Sequence, residues 1–161
     1  MRTRLAILAA SIAAATTLGI TTQPAAADTQ SDHAFAFGIV RMDGAQEFPG
    51  PGDTDGRGTF AFVGFRDKFC YLLSVRKVDT PIAAHIHAAP RGAAGGIIFF
   101  LETPTDGLSF DCITANPDET ANTPMVLVQS ELDALIANPA GFYSNVHTAT
   151  FPAGAIRGQL R

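Results

Sequence analysis

The chain has 161 residues, of which 47% are hydrophobic and 16% are charged, and its formal net charge is −4. This length and composition predict about one globular domain. The acidic balance argues against nucleic acid or an anionic membrane as a partner.

The first 27 residues have the layout of a secretory signal peptide. Arg2 and Arg4 precede an uncharged apolar run over residues 5–20, and small residues follow it. An uncleaved anchor is the alternative, but the run is somewhat short for the roughly 20 apolar residues that span a bilayer. We predict a signal peptide over residues 1–27 and a secreted, extracellular domain over residues 28–161, without membrane insertion after cleavage. Without Arg2 and Arg4, nine basic and fifteen acidic residues leave a net charge of −6.

The chain has two cysteines, Cys70 and Cys112. Export places them in a compartment where disulfide bonds persist, and a bond between them would close a loop of about 43 residues, worth on the order of 4 kcal/mol in the chain-entropy model. Two separate buried thiols are the alternative. If the disulfide forms, neither sulfur is free to bind a metal ion.

Short segments of β-type pattern follow one another along the domain. The first has Phe35, Phe37 and Ile39 at alternate positions, which predicts a half-buried strand. Further strands are predicted, with turn-rich connections between them, over residues 59–65, 69–75, 82–88, 97–101, 125–128, 142–148 and 155–160.

One helix is predicted near the end of the chain. Ser130 is a candidate N-cap with Asp133 three residues later, and Asn138 and Pro139 end the pattern. Seven or eight short strands and one short helix predict an all-β fold. We expect an antiparallel β-sandwich, immunoglobulin-like or superoxide-dismutase-like.

Three histidines are the candidate metal ligands. His85 and His87 are two residues apart in a predicted strand, so their side chains point to the same face. His147 lies in another predicted strand and adds a third imidazole if the two strands are close. A three-imidazole site suits copper or zinc. The alternative is a structural network in which the imidazoles, Asn145 and backbone groups satisfy one another inside the fold.

Glu47 and Arg157 are charges within small or apolar segments. If both are buried they should form a structural ion pair, because an isolated buried charge is very unfavourable. The alternative is that Arg157 binds an anion at the histidine site.

Five segments, taken in order, resemble the CHRD domain, the extracellular domain named after chordin. They are Asp-Gly-Ala-Gln-Glu-Phe-Pro from Asp43, Cys-Tyr at Cys70, Ala-Ala-His-Ile-His from Ala83, Tyr-Ser-Asn-Val-His-Thr from Tyr143, and Gly-Ala-Ile-Arg-Gly-Gln-Leu from Gly154. The resemblance implies an all-β extracellular domain over residues 28–161. It departs from the usual family pattern at Ala89, Gly96 and Ala155, so the turn after the histidine strand is expected to be looser.

The resemblance favours a secreted binding or structural module with an extracellular ligand of unspecified chemistry. We assign no catalytic residue, because the sequence has no Gly-x-Ser-x-Gly elbow and no His-Glu-x-x-His motif. The alternative is a metalloenzyme, since the His-x-His strand is similar to the copper-binding strand of Cu/Zn superoxide dismutase. The four histidines of the mature chain would allow a copper-only version at most.

Overall fold

The computed structural model describes residues 34–161, so the predicted signal peptide lies outside the described residues. This part of the chain forms eight strands, one α-helix and three short 3-10 helices. The strands are β1 (Phe35–Asp43), β2 (Arg57–Phe65), β3 (Lys68–Arg76), β4 (Pro81–Ala88), β5 (Gly96–Leu101), β6 (Leu108–Thr114), β7 (Phe142–Thr148) and β8 (Ile156–Gln159). The helix α1 is Gln129–Ala137, and the 3-10 helices are Gly44–Gln46, Glu119–Ala121 and Pro139–Gly141.

The eight strands form one antiparallel sheet in the order β5-β4-β7-β8-β1-β2-β3-β6. The sheet curls until its two ends approach each other. The rings of Phe69 on β3 and Phe99 on β5 pack edge to face with 5.3 Å between their centres. The all-β antiparallel prediction is confirmed, but the two separate sheets of a sandwich are not present. Because β8 pairs with both β7 and β1, the strands form a single, nearly closed, barrel-like sheet instead.

The inner face of this sheet carries the hydrophobic core. Four aromatic rings of β2 and β3 form a cluster at its centre, with 5.7 to 6.4 Å between the centres of contacting rings. Burial of each such ring contributes about 1.5 to 3 kcal/mol. The four are Phe60, Phe62, Phe69 and Tyr71, and the opposite wall of the core is formed by Ala84, Ile86, Phe99, Leu101, Val146 and Ile156.

The strand β1 is half-buried, as predicted, but its aromatic side is the one that faces solvent. Phe35, Phe37 and Ile39 are 62%, 70% and 68% exposed. The inner face cannot accommodate a side chain at Gly38, because a Cβ there would lie 2.8 Å from the ring of Phe62. Small and medium side chains are therefore the ones turned inward, and they are Ala36, Val40 and Met42.

The helix α1 packs against the core through Leu132 and Leu135, which are fully buried. Its N-cap is Val128, and the backbone N–H of Val128 donates to the Glu131 carboxylate. The predicted N-cap, Ser130, lies inside the helix, and its hydroxyl donates to Glu119 instead. Among residues 34–161, no helix combines the length and apolar character that a membrane span requires.

Cys70 and Cys112 are joined by a disulfide bond. They are directly opposite each other on the neighbouring strands β3 and β6. The described residues contain no free cysteine, so sulfur ligands are unavailable to a metal ion there.

Candidate functional site

The strands β4 and β7 bring the three predicted histidines together. His85 lies opposite Asn145 in the antiparallel register, and His147 lies opposite Ala83, two residues before His85. Residues opposite each other share a face of the sheet, so all three imidazoles project from the same side. That side is the outer one, because the alternate residue Ile86 belongs to the core.

The three imidazoles converge. One ring nitrogen from each of His85, His87 and His147 lies within 4.8 Å of the others. His85 and His87 are buried and His147 is partly buried, so the group lies just below the surface. The edge of His85 packs on the partly exposed ring of Phe100, with 4.4 Å between the ring centres. The structure therefore satisfies the geometric condition for a shared ligand.

Backbone carbonyls orient two of the rings. The Nδ1 atom of His87 is 3.0 Å from the carbonyl oxygen of Gly95, and the Nδ1 atom of His147 is 3.0 Å from that of Pro152. A carbonyl only accepts, so each Nδ1 carries the proton and donates. In a neutral imidazole the proton is then absent from Nε2. This is the common arrangement of metal-binding histidines, in which the second nitrogen donates to a carbonyl or carboxylate.

Two buried nitrogens of the cluster have no hydrogen-bond partner. They are Nδ1 of His85 and Nε2 of His147. A buried polar atom without a partner is destabilising by about 1 to 3 kcal/mol, and such atoms are uncommon in native structures. A further nitrogen, Nε2 of His87, lies 3.0 Å from Oδ1 of Asn145. The cluster thus contains two buried ring nitrogens without a partner.

Burial favours the neutral form of the His85 and His87 imidazoles. It lowers the pKa of His85 to about 4, with smaller contributions from the charges of His147 and His87. Burial also lowers the pKa of His87, against the opposing hydrogen bonds of Gly95 and Asn145. Since only a neutral imidazole binds a metal, both rings are ready for coordination at neutral pH.

Arg157 anchors the segment that covers the site. Its guanidinium donates to the carbonyls of Ala93 at 2.7 Å and Pro90 at 3.0 Å, and to Oε1 of Gln159 at 2.9 Å. It also lies 3.4 Å from the centre of the Tyr143 ring, a cation–π contact. The same tyrosine ring stacks on His87, with 4.7 Å between centres and 1° between planes.

The loop of residues 89–95 therefore lies over the outer face of β4, β7 and β8. The carbonyl of Ala89 accepts from Gln159, which completes a set of contacts that ties four loop carbonyls to the sheet. We call the polar side chains of this outer face the polar cluster: His85, His87, Tyr143, Asn145, His147, Arg157 and Gln159.

Glu47 and Arg157 are both buried, as the predicted ion pair requires, but their charged groups do not meet. Among residues 34–161, the one ion pair within 4.0 Å is Lys68 with Asp67. The guanidinium of Arg157 donates its hydrogen bonds to loop carbonyls and to Gln159. The Glu47 carboxylate lies against Gly154. Burial raises the pKa of Glu47 to about 7, although the charge of Arg157 opposes that rise. The two charges thus interact over a longer distance than a direct ion pair.

Sequence reasoning assigned no role to Tyr143, Gln159 or the loop carbonyls. A signal for the two side chains was present, because Tyr143, Asn145 and His147 alternate along β7 and Arg157 and Gln159 alternate along β8. Alternate residues share a face of a strand. No residue type marks a backbone carbonyl as a hydrogen-bond acceptor, so the loop contacts had no such signal.

An antiparallel, barrel-like β-domain with a cross-strand disulfide and a loop-covered polar cluster defines the class of this protein as an all-β module. The model of the CHRD domain family matches residues 39–160. The chain therefore belongs to the CHRD domain family, which confirms the resemblance seen in its motifs. Membership and the disulfide are compatible with secretion. No curated protein and no solved structure matches the chain.

Proposed function

We propose that this chain is a secreted CHRD-type binding module whose histidines 85, 87 and 147 hold one copper or zinc ion. The observation that carries the proposal is the pair of buried, unpartnered nitrogens, His85 Nδ1 and His147 Nε2, beside the third imidazole. A purely structural polar network would be expected to satisfy those atoms. A metal ion would satisfy both at once.

The geometry needs only a small adjustment to hold an ion. Around a tetrahedral ion with metal–nitrogen distances of about 2.0 to 2.1 Å, ligand nitrogens are about 3.3 Å apart. The three nitrogens lie within 4.8 Å of one another. The rings would thus close by no more than about 1.5 Å, while the Gly95 and Pro152 carbonyls keep Nδ1 of His87 and His147 occupied.

The ligand set favours copper over zinc. All three donors are neutral imidazoles, without a carboxylate or thiolate, and for a given set of nitrogen ligands Cu(II) binds more tightly than Zn(II). Asn145 contacts the His87 ring at 3.0 Å, and its amide can adjust to a bound water or ligand. We therefore expect the tighter complex with Cu(II).

The test is metal titration of the mature chain, residues 28–161, at neutral pH by calorimetry, with electron paramagnetic resonance of the copper form. We expect about one equivalent of Cu(II) and nitrogen hyperfine structure from imidazoles. Substitution of His85, His87 or His147 by alanine should weaken uptake by at least about tenfold.

His33→Ala is the matched control, since His33 is the remaining histidine of the mature chain and lies outside the described residues. It should leave uptake unchanged. Absence of Cu(II) and Zn(II) uptake by the wild type would contradict the proposal, and so would a loss of uptake confined to the His33 variant.

A copper-only superoxide-dismutase-like enzyme is the alternative function, and it has less support. Its analogy relies on an arginine that guides the anion, but Arg157 is 1% exposed and its donors are committed to Ala93, Pro90 and Gln159. A superoxide assay on the copper-loaded wild type and on His87→Ala separates catalysis from binding. Activity of the wild type that the variant loses would favour the enzyme.

Secretion is part of the proposal, as is an extracellular ligand for the module. Supporting features are the signal-peptide pattern of residues 1–27, the disulfide and the family. Mass spectrometry of the exported protein should find Asp28 as its N-terminal residue. An intact N-terminus on cell-retained protein would contradict this part of the proposal.

A further inference from the structure

The outer face of the sheet is divided into two halves of opposite character. On β4, β7 and β8 it carries the polar cluster, part of which the 89–95 loop covers. On β1, β2, β3 and β6 its middle is apolar, with Arg41, Arg57, Lys68 and Arg76 toward its ends. Seven large side chains, which we call the apolar patch, are exposed there: Phe35, Phe37, Ile39, Phe65, Leu72, Leu108 and Phe110.

The strand register makes these side chains one continuous surface. Two neighbouring rows cross all four strands without a charged residue, and residues within a row are direct cross-strand neighbours. The rows are Phe37, Val63, Cys70 and Cys112, and Ile39, Ala61, Leu72 and Phe110. Lys68 lies in the flanking row that contains Phe35 and Phe65, and Arg41 lies in the flanking row that contains Leu108.

Residues 34–161 leave this patch uncovered. Its seven members are between 39% and 70% exposed. On the other half of the same face, the 89–95 loop contacts Arg157 and Gln159. The six residues between the predicted cleavage site and Ala34 are Asp, Thr, Gln, Ser, Asp and His. They have no apolar side chain with which to cover it.

We propose that the apolar patch is a face-to-face dimer interface, and that its occupant is the same patch of a second copy of this chain. With about 200 Å² for each large apolar side chain, the exposed fractions correspond to roughly 700 to 800 Å² per copy. A standard stable interface buries about 800 Å² per partner, and patches of this size are rare on monomers.

The chemistry of the patch also fits a second copy. The patch contains four phenylalanines and its two central rows are uncharged, which matches the aromatic, charge-depleted core of protein interfaces. An uncharged sheet face is complementary to itself without any charge pairing, and two such faces pack about 10 Å apart. A membrane surface suits the patch less well, because the mature chain has a net charge of −6 and anionic lipid would repel it.

The test is the mass of the metal-free mature chain in solution, by sedimentation velocity and light scattering over about a hundredfold dilution from about 100 µM. We expect a dimer that dissociates on dilution. Phe37→Asp and Ile39→Asp, at the centre of the patch, should each give a monomer with an unchanged circular dichroism spectrum. Met125→Asp is the matched control, since Met125 is 75% exposed outside the patch, and it should stay dimeric.

Hydrogen exchange of the wild type keeps the test independent of variant folding. Peptides that cover β1 and β6 should exchange more slowly in the dimer than after dilution, and peptides from α1 should not change. A wild type that is monomeric throughout the series would overturn the proposal, and so would a dimer that both patch variants preserve. A monomer that pellets with phosphatidylglycerol vesicles would assign the patch to a membrane surface instead.

Discussion

The Oδ1 atom of Asn145 lies 3.0 Å from Nε2 of His87, which is the nitrogen that a metal ion would take. Because Nδ1–H of His87 donates to Gly95, Asn145 Oδ1 can accept from Nε2 only when the ring carries a second proton. A metal ion at Nε2 would replace that proton. Asn145 therefore serves the metal-free state, and its replacement should change metal affinity.

Asn145→Asp places a carboxylate in the histidine cluster. We expect Cu(II) and Zn(II) affinity to increase at least about tenfold, because an anionic oxygen donor joins three neutral imidazoles. The metal-free variant should lose about 1 to 3 kcal/mol of stability, since a buried carboxylate replaces a neutral amide. Calorimetry and chemical unfolding measure the two effects. Asn138→Asp, at an exposed helix end, is the control with the same charge change, and equal affinities in both variants would contradict the expectation.

Glu47 makes stability depend on pH. Its pKa is about 7 in the folded chain against 4.5 as the ordinary value, so the folded state holds more protons between these pH values. Stability contributed by this residue is therefore present at low pH and is lost as pH rises from about 4.5 to 7. Glu47→Gln removes the loss and should be more stable than the wild type at pH 8, by up to about 3 kcal/mol.

The measurement is urea unfolding of wild type and Glu47→Gln at several pH values. His85 and His87 have lowered pKa values and act in the opposite direction, raising stability as pH rises, but they are present in both proteins and cancel in the difference. A stability difference that is constant from pH 4.5 to 8 would count against the role of Glu47. Glu102→Gln, at an exposed position, is the control.

Arg157→Met should destabilise the fold by about 3 kcal/mol or more, because it leaves two loop carbonyls and Gln159 without their donor. Arg157→Lys should lose less, since it keeps the charge but not the forked donor geometry. Chemical unfolding measures both, with the exposed Arg161→Met as control. A loss below about 1 kcal/mol for Arg157→Met would show that water readily replaces the guanidinium.

Loss of the Cys70–Cys112 disulfide should lower stability by about 2 to 4 kcal/mol, because the unfolded chain gains the freedom of a loop with a sequence separation of 42 residues. Unfolding in the presence and absence of reductant measures the effect. The double variant with serine at both positions should be equally destabilised and should not respond to reductant. If the unfolding midpoint of the double variant equals that of the oxidised wild type, the prediction is wrong.

Much of the site could be predicted because it depends on strand periodicity. The two-residue spacing of His85 and His87 fixes their common face, and the similar pattern around His147 suggested a second strand on the same side. The disulfide was predictable because only two cysteines were present in a chain with a signal-peptide pattern. In each case a local rule leaves few alternatives.

Periodicity does not say which face of a strand is turned inward. Phe35, Phe37 and Ile39 share a face, as predicted, but Phe62 fills the inner side at Gly38 and displaces them to solvent. The same limitation applies to the sandwich, because strand number and spacing are equal for two flat sheets and one curled sheet. The Glu47 carboxylate and the Arg157 guanidinium were expected to pair, but the guanidinium donates to backbone carbonyls instead. Every residue has a backbone carbonyl, so a sequence does not show which of them will accept a hydrogen bond.

The position of β8 has a consequence for how this chain is made. The last strand of the sequence lies between β7 and β1, so it hydrogen-bonds to strands on both sides and joins β5, β4 and β7 to β1, β2, β3 and β6. The sheet therefore cannot be completed until residues 156–159 have been synthesised. Pairing of the first strand with the last is the most non-local contact in the sheet, and such contacts slow folding. A chain with this connectivity completes its sheet only after β8 has paired with strands on both sides.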